Sequence, residues 1–85
     1  MKIEILLNAL DEMIVILNSS GKKESADFFS LKYSNIKNSQ NPLKFIEELS
    51  KCRAMAQYAN FSLVEENKLD SIIELTVDIL KKSEM

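Results

Sequence analysis

Histidine is absent from the 85-residue sequence, and glycine, proline and cysteine occur once each, as Gly21, Pro42 and Cys52. Each scarcity removes a class of fold or function. Without histidine the chain lacks the usual general base at neutral pH and the commonest metal-binding side chain. A single cysteine without histidine also excludes ordinary zinc-site spacings and the common cysteine–histidine nucleophile pair. Neither a Gly-rich phosphate loop nor a GxSxG elbow can be written with one glycine. One glycine and one proline leave too few turn signals for an all-β fold of this length, so helices are expected.

Other absences bear on location and partners. Cys52 cannot form an intramolecular disulfide, which suits a reducing, cytoplasmic setting. It is expected to act as a small buried hydrophobe, because reactive thiols need basic or helix-N-terminal surroundings. Its one adjacent basic residue, Arg53, would point about 100° away on a helix. The chain passes from Met1-Lys2-Ile3-Glu4 straight into apolar residues, without a basic leader region or small-residue cleavage site, so no secretory signal is expected. Asn8, Asp11 and Glu12 interrupt the longest apolar stretch before it reaches the roughly 18 residues of a membrane span. Net charge is −2, and Lys22-Lys23 and Lys81-Lys82 are only pairs, read as solvated helix ends and not as a nucleic-acid footprint.

What is present describes a globular chain. Hydrophobic residues make up 46% and charged residues 28%, a balance that folds, and the length allows one domain, 1–85. Ile3, Leu6, Leu7, Leu10, Met13, Ile14 and Leu17 recur at three- and four-residue steps and predict a first helix over about 2–18. Ile5, Ala9 and Ile16 widen its apolar arc to about 200°, more than an ordinary amphipathic stripe. Gly21 suits the left-handed position that ends such a helix. A second helix over about 22–37 turns Ala26, Phe29, Tyr33 and Ile36 inward. Phe28 and Leu31 lie elsewhere on it, to pack under a neighbour or to form an exposed docking patch.

Asn41-Pro42 is a start signal for a third helix over about 42–59, with Asn41 as N-cap and Pro42 in the first helical position. Its expected inner face is Phe45, Ile46, Leu49, Cys52 and Ala56, with Lys44/Glu48 and Glu47/Lys51 as surface pairs. Arg53 falls among these apolar positions and is expected to run along the core to a carboxylate. Ser62-Leu63-Val64-Glu65 fits a capping box that opens a fourth helix over about 63–82. Leu69, Ile72, Ile73, Thr76, Val77 and Leu80 form its inner face, which Leu75 and Ile79 broaden to about 200°. The expectation is a compact, all-α, four-helix-bundle-like domain whose second helix is shorter and free to cross the others.

Glu47-Glu48 and Glu65-Glu66 are adjacent carboxylates, but neighbours on a helix diverge, and no ExxH or calcium-loop pattern accompanies them. No catalytic residue, metal or cofactor is therefore expected. One pattern stands above background: Glu66, Asp70, Glu74 and Asp78 repeat at every fourth position. Like charges so spaced oppose the helix by a few tenths of a kcal/mol per pair, roughly. The row either pairs internally with lysines or Arg53, or offers an acidic edge to a basic partner, with Tyr33 or Phe28 adding an aromatic contact.

Ala26-Asp27-Phe28-Phe29 and Arg53-Ala54-Met55-Ala56-Gln57 resemble segments of small bacterial helical proteins, in which an aromatic-Ala stretch on the second helix precedes a glycine-rich turn closing the third. Arg53, Ala54 and Ala56 stand in place of those glycines, so continuous helix is expected here. In size, acidity and helical content the chain also resembles bacterial immunity and antitoxin-type proteins. That resemblance implies an inhibitor that binds a protein partner, a basic toxin, through acidic and aromatic residues. The alternative is a homo-oligomeric helical module, a homodimer joined through the wide arcs of the first and fourth helices.

Overall fold

Backbone hydrogen bonds at two corners set where the long helices stop and restart. The computed structural model describes residues 2–83, and among these all regular structure is helical. Helix α1 spans Lys2–Ser19, α2 Lys23–Asn38, α3 Leu43–Ser50, α4 Met55–Tyr58 and α5 Leu63–Ser83, with a 3-10 turn at Cys52–Ala54. None of these helices is long and apolar enough to cross a membrane.

At the first corner Gly21 takes a φ of 76°. Its N–H donates to the Asn18 carbonyl at 3.2 Å, and the Lys22 N–H donates to the Leu17 carbonyl at 2.9 Å. These are the paired bonds of a Schellman motif, and glycine occupies the left-handed position as its sequence context predicts. The second corner repeats the device without glycine. Asn60 has a φ of 57°, its N–H reaches the Gln57 carbonyl at 3.3 Å, and the Phe61 N–H reaches the Ala56 carbonyl at 3.1 Å. Asparagine tolerates this conformation better than other side chains because its short amide can bond locally. A Cβ on Gly21 would meet nothing within 4 Å, so only the backbone opposes it. Gly21→Ala and Asn60→Ala are each expected to lower the unfolding free energy by about 1 kcal/mol. Chemical denaturation would contradict this account of the corners if both variants matched the parent.

The third expected helix is not continuous. It begins one residue late, with Pro42 at the cap in helical conformation and its carbonyl accepting from Phe45 and Ile46, both at 3.0 Å. No side chain caps it, and the Asn41 N–H instead donates to Ser39 Oγ at 3.0 Å. It then breaks at Lys51, whose φ is −106° and ψ 6°. Beside the break, Ser50 Oγ donates to the Glu47 carbonyl at 2.6 Å. The Lys51 N–H bonds one residue short, to the Glu48 carbonyl at 3.2 Å, and the chain tightens into the 3-10 turn. The chain therefore turns at this point, where continuous helix was expected, and it does so without glycine.

The break shifts the register that follows. Met55 is buried, whereas Cys52 and Ala56, expected on the inner face, are half-buried. Arg53 leaves the core for the surface, with its side chain 70% exposed. Elsewhere most expected inner positions are buried, while Tyr33, Phe45 and Leu80 are only half-buried against the core. Leu6, Leu10, Met13 and Leu17 of α1, Ala26, Phe29 and Ile36 of α2, and Leu69, Ile72, Ile73, Thr76 and Ile79 of α5 are buried. Val77 is 40% exposed and does not join them. Helix α1 packs on α2 and α5, and α3 packs on α5 and α2, so the four close a ring around one apolar core.

Candidate functional site

Helix α5 carries the acidic row, and its start is fixed by the capping box. The Ser62 N–H donates to Glu65 Oε1 at 2.7 Å, and the Glu65 N–H donates to Ser62 Oγ at 3.3 Å. Lys22 Nζ reaches the same Oε1 at 2.5 Å and lies 5.8 Å from the Phe61 ring centroid. The Glu65 side chain is fully buried, and its Oε2 has no hydrogen-bond partner among the described residues. Burial pushes the Glu65 carboxyl up, but Lys22 and the Ser62 N–H outweigh it and bring the carboxyl down to about 2. Lys22 is thus a structural cation joining the α1–α2 corner to α5, and not the solvated helix end expected of it. Lys23 beside it is exposed.

The acidic row does not stay on one line. Each four-residue step advances about 400° around a helix, so successive members drift by about 40° and the ends differ by about 120°. Glu66 and Asp70 consequently turn toward the broken segment, where they line a shallow groove with Arg53, Ala54, Ala56 and Gln57. Arg53 Nη2 meets Asp70 Oδ1 at 2.7 Å. Arg53 does pair with a carboxylate, but through the exposed turn, and Asp70 does not simply face solvent. Glu74 and Asp78 line a separate depression with Ser71 and Leu75. Asp78 Oδ2 lies 3.9 Å from Lys82 Nζ, one helical turn on.

Phe28 and Tyr33 are not brought to this row. Both sit on α2, which packs on α1 and α3 but not on α5. Phe28 is half-buried and meets Phe29 edge to face, with centroids 5.1 Å apart and planes at 86°. Tyr33 is likewise half-buried against the core, with Lys37 Nζ 5.7 Å from its centroid. Of the two residues that could have formed a docking patch on α2, only Leu31 is exposed, at 59%.

Sequence periodicity missed a second cation. Lys32 Nζ lies 5.5 Å from the Phe28 centroid and 5.9 Å from that of Phe45, and pairs with Glu48. The Lys32 hydrogen bond holds the Glu48 carboxyl below its ordinary range, against a smaller effect of burial, with Lys44 acting only through space. Glu48 therefore serves the α2–α3 contact, while Glu47 pairs with Lys51 at 3.1 Å as expected. Aromatics four and thirteen residues from Lys32 were the available signal.

No three histidine, cysteine, aspartate or glutamate side chains come together among the described residues as a metal site would require. Burial pushes the Cys52 thiol up to about 11, so little thiolate exists at neutral pH. The chain matches no protein-family model, no curated protein and no solved structure.

Proposed function

We propose that this chain is a non-catalytic binding protein, a four-helix-bundle-like scaffold that inhibits a basic protein partner in the manner of immunity and antitoxin proteins. The acidic edge of α5 is the contact surface. The observation that carries this reading is the Glu66–Asp70 groove beside Arg53, with Glu74 and Asp78 in a separate depression farther along α5, the four carboxylates spanning about 18 Å of helix. Exposed carboxylates cost little to hold in water and raise the local concentration of a cationic partner, which speeds encounter and fixes register. The Arg53–Asp70 pair contributes at most about 1 kcal/mol to folding, because both groups are substantially exposed. It can be exchanged for an incoming arginine or lysine at small cost. Phe28 and Tyr33 are half-buried on α2, which does not pack on α5, and contribute nothing to this edge. It implies a cytoplasmic protein, where Cys52 stays reduced.

A second reading, a homo-oligomeric helical module with a structural or regulatory role, is favoured by the exposure of Ile5 and Val64.

Glu66→Lys/Glu74→Lys tests the main reading, because both positions are exposed and the fold should survive, as circular dichroism would verify. Tagged parent chain expressed in its native host should capture a basic protein, recovered more than about tenfold less well by the variant. Equal recovery by a folded variant would contradict the acidic edge as the contact.

A further inference from the structure

Helices α1 and α5 run antiparallel, side by side. Glu12 pairs with Lys68 at 2.7 Å, while Lys22, just past the end of α1, pairs with Glu65 near the start of α5. A helix rises about 1.5 Å per residue, so equal steps from the Glu12–Lys68 pair keep the two helices level. Four residues in one direction bring Ile16 beside Val64, and seven in the other bring Ile5 beside Leu75. The seam thus presents an apolar pair, an ion pair and an apolar pair in order, over about 17 Å. Ile5 is 53% and Val64 63% exposed, and Ile16 and Leu75 are half-buried.

We propose that a second copy of this chain covers the seam, related to the first by a twofold axis running along it between the two helices. A symmetric dimer joins the same patch on both subunits, so the patch must complement itself. This axis lays α1 of each copy over α5 of the other. Glu12 then faces Lys68 of the second copy, Ile5 faces its Leu75 and Ile16 its Val64, so that in these three pairs charge meets opposite charge and apolar meets apolar. An axis perpendicular to the helices would instead set Glu12 on Glu12 and Lys68 on Lys68, which repulsion opposes.

The molecule measures 38 × 21 × 18 Å. Its long face therefore offers at most about 800 Å² per copy, the order of a standard stable interface, and the seam forms the centre of that face. The Glu66–Asp70 groove turns toward Arg53 on another side of α5 and stays open in this dimer, whereas Leu75 shares its depression with Glu74 and Asp78, so the second copy covers that end of the acidic row.

Sedimentation equilibrium of the full chain tests the proposal, with circular dichroism to verify folding. The parent should be dimeric at high micromolar concentration. Glu12→Lys sets like charges opposite and should raise the dimer dissociation constant more than about tenfold, and Glu12→Lys/Lys68→Glu should restore it. Val64→Glu, at a position open to water in the monomer, should also dissociate the dimer and keeps the test decisive if Glu12→Lys fails to fold. A monomeric parent, a dimer indifferent to Val64→Glu, or a double variant no better than folded Glu12→Lys would each overturn the proposal.

Discussion

Replacing Glu65 with alanine is expected to remove about 2–4 kcal/mol of stability, far more than any other single carboxylate in the chain. Two losses combine. The capping box disappears, which costs about 0.5–2 kcal/mol, and Lys22 loses its anion at a site where its side chain is only 25% exposed. The value stays below that of a fully buried pair because Lys22 can swing to water, and because Glu65 Oε2 is already without a partner. Thermal or chemical denaturation supplies the measurement, and a loss under about 0.5 kcal/mol would remove Glu65 as the link between the two corners.

The same group gives the fold a defined acid sensitivity. The folded-state carboxyl lies near 2, below its ordinary 4.5, so its contribution is fully present above 4.5. It is lost as pH falls from there toward 2, where the unfolded chain binds a proton that the folded chain refuses. Glu48, also held low by Lys32, acts in the same direction from an exposed position. Glu65→Gln should therefore flatten the acid limb of the stability curve while leaving the neutral plateau lower. A parent and variant that lose stability in parallel below 4.5 would contradict the assignment.

Leu10→Ala should cost about 3–5 kcal/mol, the largest effect expected of any single truncation. Leu10 is fully buried in mid-α1, the helix that packs on both α2 and α5, so neighbouring side chains cannot all collapse into the space left. Ile73→Ala, at 9% exposure on α5, should fall lower in the range, at about 2–4 kcal/mol. Denaturation midpoints at constant m-value would measure both. Losses below about 0.5 kcal/mol at both sites would reject the assignment of inner faces.

The features legible in the sequence are those whose causes lie within a few residues. Gly21 marked the end of α1 because only glycine takes that conformation without penalty, and Ser62 and Glu65 marked the start of α5 because their capping bonds span three residues. Periodicity hid the break at Lys51, because Phe45, Ile46, Leu49, Cys52 and Ala56 keep helical spacing straight through it and an apolar pattern carries no trace of it. Asn60 carried a weaker signal than a glycine would have. The Lys22–Glu65 pair joins residues 43 apart, a contact that no helical pattern contains.

The candidate site was half legible for a related reason. Spacing of four places carboxylates close together, but it does not keep them aligned, because the helix repeats every 3.6 residues, roughly. Glu66 and Asp70 therefore belong to the groove of the broken segment, and Glu74 and Asp78 to the neighbouring depression. Arg53 pairs with a carboxylate as expected, but from the exposed turn and not along the core, and that carboxylate is Asp70 of the row, as the internally paired alternative has it.

The ionic-strength dependence of association with the captured partner tests the acidic edge most directly. Long-range steering is screened within about 8 Å at physiological ionic strength, whereas short-range packing is not. The account predicts an on-rate that falls steeply with added salt in the parent and is already slow, and nearly salt-independent, in Glu66→Lys/Glu74→Lys, with dissociation changed much less. An on-rate insensitive to salt and equal in parent and variant would contradict it, leaving the carboxylates of α5 as a solvated and internally paired row.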